Sequence, residues 1–265
     1  MINNHNILSF SLKEGADLAG IAKIEDLIEA CPRRSPQRIL PEAKSIIVFA
    51  LRHSYGGLDT PVMRISISET QTIYDELKRI GYRLCRFLEE RGFVGLTIPP
   101  FHPLEINAET KGLVGDLSLR HAAVSAGLGF IGRNNLLITP EFGPRVRLAA
   151  VITDAVLETS IQRVESKCGT CTACIEKCPA QALSLEKGFD LGRCVKVVGG
   201  SAGLYALTRF LLGLVEKPKA ELKKSIQSPD IWGFHQALSA GISFDCQVCM
   251  TSCPLGKNIQ SEAQP

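Results

Sequence analysis

Ten cysteines occur in 265 residues, and eight of them follow a spacing that leaves the carboxy-terminal part of the chain few options. Cys168, Cys171, Cys174 and Cys178 run as Cys-x2-Cys-x2-Cys-x3-Cys and are followed by Pro179. Cys246, Cys249 and Cys253 repeat the last three positions of that run, again with a proline, Pro254, behind them. Where the repeat would have its first cysteine stands Ser243. In runs of this kind three thiolates hold one 4Fe-4S cube and the fourth reaches across to a second. The second set is one thiolate short, and Cys194 fills the vacancy. The crossover assigns Cys168, Cys171, Cys174 and Cys253 to one cluster, and Cys178, Cys194, Cys246 and Cys249 to the other.

Zinc is the bland alternative, since it also takes four thiolates and often uses paired Cys-x2-Cys. Three cysteines at successive three-residue steps suit it poorly, because the third is redundant. Disulfides are unexpected in a chain with no secretion signal. Cys31 and Cys85 stand apart and read as buried, inert thiols.

The amino terminus, MINNHNILSFSLKEGADLAG, has no basic start followed by an apolar core. The longest apolar stretch, Ala206 to Val215, contains Arg209 and is shorter than the ~20 residues that cross a bilayer. A cytoplasmic protein without a membrane span is expected. Formal net charge is +3 with every cysteine counted neutral. Two oxidised cubes carrying about −2 each bring the loaded chain to about −1, so bulk charge does not signal nucleic acid, though it does not exclude it. The clusters Arg79, Arg83, Arg86, Arg91 and Lys217, Lys219, Lys223, Lys224 read as solvated helix faces.

The cysteine distribution divides the chain into residues 1–160 and a cluster-bearing region, 161–265, with the boundary between Glu158 and Lys167. In the first part, SIIVFAL (Ser45 to Leu51) reads as a buried strand. From Glu69 to Arg91, Ile73, Leu77, Ile80, Leu84, Phe87 and Leu88 recur at helical steps, and Gly92 marks the C-cap. FVGLTI (Phe93 to Ile98), LLIT (Leu136 to Thr139) and RVRLAAVIT (Arg145 to Thr153) read as strands, and His121 to Ala126 as a helix. Pro99 to Gly115 is a loop of about 17 residues, long enough to be functional. The class is α+β, with helices on a mainly antiparallel or mixed sheet.

Gly127, Gly129 and Gly132 have the spacing of a dinucleotide fingerprint, but they follow a helix and lead into a strand, which is the wrong context. The glycines allow close backbone approach to a bulky group. Arg145 and Arg147 alternate on one strand face, where a solvated position is the simplest reading.

The stretch AAVSAGLGFIGRNNLLITPEFGPRVRLAAVITDAVLE (Ala122 to Glu158), the first cysteine run, GRC (Gly192 to Cys194) and CQVCMTSCP (Cys246 to Pro254), in that order, resemble the superfamily of epoxyqueuosine reductases and corrinoid reductive dehalogenases. AKSIIVFAL (Ala43 to Leu51) matches an earlier block of that group. The resemblance implies a nitroreductase-like α+β domain that binds cobalamin, followed by a bacterial ferredoxin-like domain with two 4Fe-4S clusters that pass electrons to the cobalt. It further implies that Gly127, Gly129, Gly132, Arg133, Asn134, Asn135 and Arg145 line the corrin. Turn formation is the competing role for Asn134 and Asn135.

Two departures separate the chain from the tRNA-modifying members. Their proton-donating aspartate falls in register on Leu113, with Asp116 three residues later as the nearest catalytic substitute. Their Trp-Asn pair after the last Cys-Pro is Leu255-Gly256 here. His102, Glu105, Tyr55 and His121 are the other candidate acids. The resemblance implies an oxidoreductase supplied by a ferredoxin or flavodoxin and acting on a small molecule or a corrinoid protein. The alternatives are a ferredoxin-like carrier or a cobalamin reductase or chaperone serving a partner.

Overall fold

The computed structural model describes residues 3–30, 34–101, 114–159, 163–198, 212–213, 215 and 246–256. They form two compact units. One comprises the described parts of Met1–His53, Thr72–Cys171 and Cys253–Pro265, the other those of Ser54–Gln71 and Thr172–Ser252.

The first unit is built on four antiparallel strands, β1 (Leu18–Lys23), β2 (Ser45–Arg52), β3 (Gly95–Ile98) and a later long strand (Val146–Thr153), here β6, in the order β1-β2-β6-β3. Central β2 is apolar at nearly every position because both of its faces are covered. On one face Ile46, Val48, Ala50, Ala150 and Ile152 pack with Ile24 and Leu27 of α2 (Ile24–Ala30) and with Ala122 and Ala123 of α5 (Leu119–Ser125). On the other, Ile47, Phe49, Ala149 and Val151 pack with Ile7 of α1 (Asn4–Lys13) and the stripe Ile73, Tyr74, Leu77, Ile80, Leu84, Leu88 of α4 (Met63–Glu89). Alternate residues of one strand thus feed two cores. Gly20 lets the end of α5 close onto β1, since a Cβ there would meet the carbonyl oxygen of Ala126.

The apolar readings of the sequence hold in this unit. β2, β3, α5 and β6 lie where periodicity puts them, and Gly92 adopts φ +81 behind α4. The sheet is antiparallel throughout. Helix α4 starts six residues before the expected Glu69, because its buried stripe continues upstream through Thr70 and Ser66, which are polar and leave no hydropathic trace. LLIT contracts to the two-residue β5 (Leu137–Ile138), paired with β4 (Phe130–Ile131). Cys85 is buried on α4 as expected, whereas Cys31 and residues 102–113 of the long loop lie outside the described residues.

The second unit contains α3 (Tyr55–Asp59), residues 63–71 of α4, α6 (Ala173–Glu176), the hairpin β7 (Leu183–Ser184) and β8 (Gly188–Phe189), α7 (Leu191–Val198) and the short helix Val248–Thr251. The helix expected near Leu204 to Val215 lies almost wholly outside the described residues. No described helix is long and apolar enough to cross a membrane.

Two outcomes test this core. Leu77, fully buried in the same core as Phe49, should cost about 2–5 kcal/mol when replaced by alanine, measured by urea unfolding. Burial and then Glu89 push the Cys85 thiol up from 9.0 to about 11. As pH rises above 9 the unfolded thiol ionises first, so this stability, whole below pH 9, is lost towards pH 11. Cys85→Ala should flatten that alkaline limb.

Candidate functional site

In the second unit, short turns place five cysteines together. Cys174 lies on α6, and the backbone N–H of Cys178 just beyond it donates to Ile175 O at 3.2 Å. The Cys178 sulfur accepts from the N–H of Ala182 at 3.3 Å, a bond of the kind that tunes a cluster thiolate. Cys194 sits in the first half of α7, anchored by Asp190, whose side chain accepts from the N–H of Arg193 at 3.0 Å. Burial, then Cys246 and Cys178, raise the pKa of Cys194. Burial, then Cys246, Cys194, Cys174 and Cys178, push Cys249 up to about 12. These thiols resist ionisation because each new negative charge meets its neighbours in a poorly hydrated space.

In the first unit, Cys253 is near Cys168 and Cys171. Burial raises its pKa most; the N–H of Leu255 and the guanidinium of Arg145 pull it down, and the two other cysteines push it up. Arg145 is only 2% exposed and donates from Nη1 to the carbonyls of Leu255 at 3.0 Å and Cys253 at 3.5 Å. A solvated reading of its strand face therefore fails: the carboxy-terminal turn buries Arg145, and Arg147 donates from Nε to Nε2 of the buried His53 at 3.0 Å. Arg133 forks onto the carbonyls of Cys171 (2.6 Å) and Gly169 (2.7 Å). Backbone meets backbone where Gly143 (φ +56) faces Leu255 and Gly256 (φ +74) faces Phe142, and a Cβ on either glycine would strike the other turn.

All eight motif cysteines are free of disulfides. Among the described residues no three His, Cys, Asp or Glu side chains converge as a single ion requires. The positive charge of a multi-iron cube would offset the burial and mutual repulsion that raise the pKa values of Cys194 and Cys249.

The glycine-rich stretch is a tight β4–β5 hairpin. Gly127 takes φ +75 behind α5, and Gly129 and Gly132 allow close approach to Ile138 of the same hairpin. Asn134 is buried and accepts from the N–H of Leu136 at 3.2 Å, while Asn135 adopts φ +59 and its carbonyl accepts from Arg120. Both asparagines thus shape the turn. Asp116 is exposed on the bend before α5. His121 Nδ1 lies 2.6 Å from Ser118 Oγ, and burial, then Arg120, lower its pKa. Tyr55 opens α3, while His102 and Glu105 lie outside the described residues. His53, Ser66, Thr70 and Gln247 carry polar contacts that no sequence motif signals.

No family model matches the chain. Tetrachloroethene reductive dehalogenases of Dehalobacter restrictus and Desulfitobacterium hafniense are 33% identical to it over 184 residues, 65% of this chain and 28% of theirs. Epoxyqueuosine reductase of Bacillus subtilis is 26% identical over 242 residues, 88% of this chain and 53% of the relative. A solved epoxyqueuosine reductase shares the fold at TM-score 0.63 and 22% identity, over 96% of this chain and 65% of the other. A reductive dehalogenase described as B12-dependent does so at TM-score 0.56 and 19% identity, over 72% and 28%.

The chain's homologues are epoxyqueuosine reductases and reductive dehalogenases, and solved proteins of both kinds share its fold. The chain spans about half the length of the matched epoxyqueuosine reductase and just over a quarter of the dehalogenases. The superfamily relatives are reductases, and one solved epoxyqueuosine reductase is bound to a tRNA stem loop.

Two measurements probe this site. Gly256→Ala should lose at least ~1 kcal/mol of stability, because the new Cβ is opposed both by φ and by the Phe142 carbonyl. His121 has a folded pKa below 6.5, so its contribution is complete above that pH and is lost as pH falls through the folded value. His121→Gln should flatten this acid limb in pH-dependent denaturation.

Proposed function

We propose that the chain is an iron-sulfur redox protein that passes electrons through two 4Fe-4S clusters to a corrinoid for a reductive reaction. The carrying observation is the gathering of Cys178, Cys194, Cys246 and Cys249, where burial and then the neighbouring thiols raise the pKa of Cys194 and Cys249, in a chain whose relatives are reductases. Cys168, Cys171, Cys174 and Cys253 would hold the other cluster. A bound corrinoid would supply the low-potential metal centre at which a substrate is reduced.

The division into a nitroreductase-like corrinoid domain, 1–160, and a ferredoxin-like domain, 161–265, belongs to this reading. It is supported by fold similarity to a dehalogenase described as B12-dependent. Gly127, Gly129 and Gly132 would line the corrin through the backbone of the hairpin. Arg133, Asn134, Asn135 and Arg145, whose polar atoms engage the chain itself, would hold that surface in shape. Asp116, exposed ahead of α5, would be the proton donor. A ferredoxin or flavodoxin would deliver electrons in the cytoplasm, to a small molecule or corrinoid-protein substrate. The tRNA-bound relative keeps nucleic acid among the partners to be tested.

Anaerobic reconstitution should load about eight irons per chain, and cobalamin titration should shift the corrin absorption bands. Eight irons with no response to cobalamin would instead favour an electron carrier. Cys194→Ala should reduce the load to about four irons, since one cube would lack its fourth thiolate.

A further inference from the structure

Ser66 and Thr70 on α4 lie 181 and 177 positions from Gln247 in sequence, yet all three belong to the second unit and meet in its interior. They are 2%, 4% and 8% exposed. The Thr70 hydroxyl donates to the Ser66 carbonyl at 2.9 Å, which leaves its oxygen as the acceptor for Gln247 Nε2 at 3.1 Å. That fixes the orientation of the amide, and the Ser66 hydroxyl completes the circuit by donating to Gln247 Oε1 at 2.6 Å. Every donor and acceptor in this chain of bonds has the partner its chemistry requires, as burial of polar groups demands.

Gln247 stands between Cys246 and Cys249. Its backbone carbonyl accepts from the N–H groups of Met250 (2.9 Å) and Thr251 (3.0 Å), which starts the helical turn carrying Cys249. Its side chain makes no cap bond to that turn and is committed to α4 instead. Both halves of the residue are therefore immobilised, one on the cysteine turn and one on a helix from the opposite end of the sequence. A fully satisfied buried network of this kind specifies one geometry.

We propose that Gln247, held by Ser66 and Thr70, is a positioning residue for the second cluster, fixing the Cys246–Cys249 turn and keeping water from that side of its iron. The proposal rests on the two-cluster reading of the cysteines. An apolar residue at 247 would leave the Ser66 and Thr70 hydroxyls without their amide partner and release the turn. Water entering beside the cube would favour its more negative, reduced form and raise its potential.

The test uses the reconstituted full chain. Iron release to a chelator and the two cluster midpoints, followed by EPR during redox titration, are measured for wild type, Gln247→Leu, the Ser66→Ala/Thr70→Val pair, Thr70→Ser and the triple variant. In Gln247→Leu about half the iron should leave about tenfold faster, and one midpoint should rise while the other stays. The Ser66→Ala/Thr70→Val pair should reproduce this, the triple variant should add little to either, and Thr70→Ser, which keeps the hydroxyl, should behave as wild type. Wild-type release and midpoints in a fully loaded Gln247→Leu, or effects that simply add in the triple variant, would overturn the lock while leaving the clusters standing. Wild type that takes up no iron would overturn both.

Discussion

Crowded thiols govern the carboxy-terminal part of this molecule. Cys249 is pushed up to about 12 by burial and by four neighbouring cysteines, and Cys194 and Cys253 are raised for the same reason. An arrangement in which each ionisation opposes the next is poor as a set of free thiolates, a conflict that the proposed clusters would relieve. Short helical turns, a proline behind each run and a sulfur-directed N–H from Ala182 hold the cysteines without a large apolar core of their own.

The amino-terminal sheet meets a different demand. Its strands are covered on both faces, so β2 and β6 are apolar almost throughout and form a platform from which the buried Arg145 reaches the carbonyls of the Cys253 turn. Arg145 links the two kinds of constraint. As a buried cation it is tolerated because it binds two carbonyls and lies beside a cysteine whose ionisation it favours.

Much of this was legible in the residues. Apolar periodicity located β2, α5, β6 and the body of α4, because packing against a buried sheet leaves a regular hydropathic pattern. The glycine-rich stretch was legible only as a need for close approach; the group approached turned out to include Ile138 of the same hairpin, which no spacing rule reveals. The start of α4 was missed because a buried face made of Ser66 and Thr70 looks solvated when its partner, Gln247, is far away in the chain. Arg147 looked solvated for the same reason, its partner being His53 at the end of the neighbouring strand β2, distant in sequence.

Spacing carried the reading of two sets of cysteines with Cys194 in place of the thiol absent at Ser243, and the order of those runs behind the block Ala122 to Glu158 carried the resemblance to epoxyqueuosine reductases and reductive dehalogenases, because both are patterns along the chain. Tertiary structure alone decided what holds those cysteines in place: Arg133 and Arg145 on their carbonyls, paired glycines where two turns touch, and a glutamine tied to a distant helix. These contacts join residues remote in sequence through polar groups whose cost is met only once the chain is folded, so no local pattern records them.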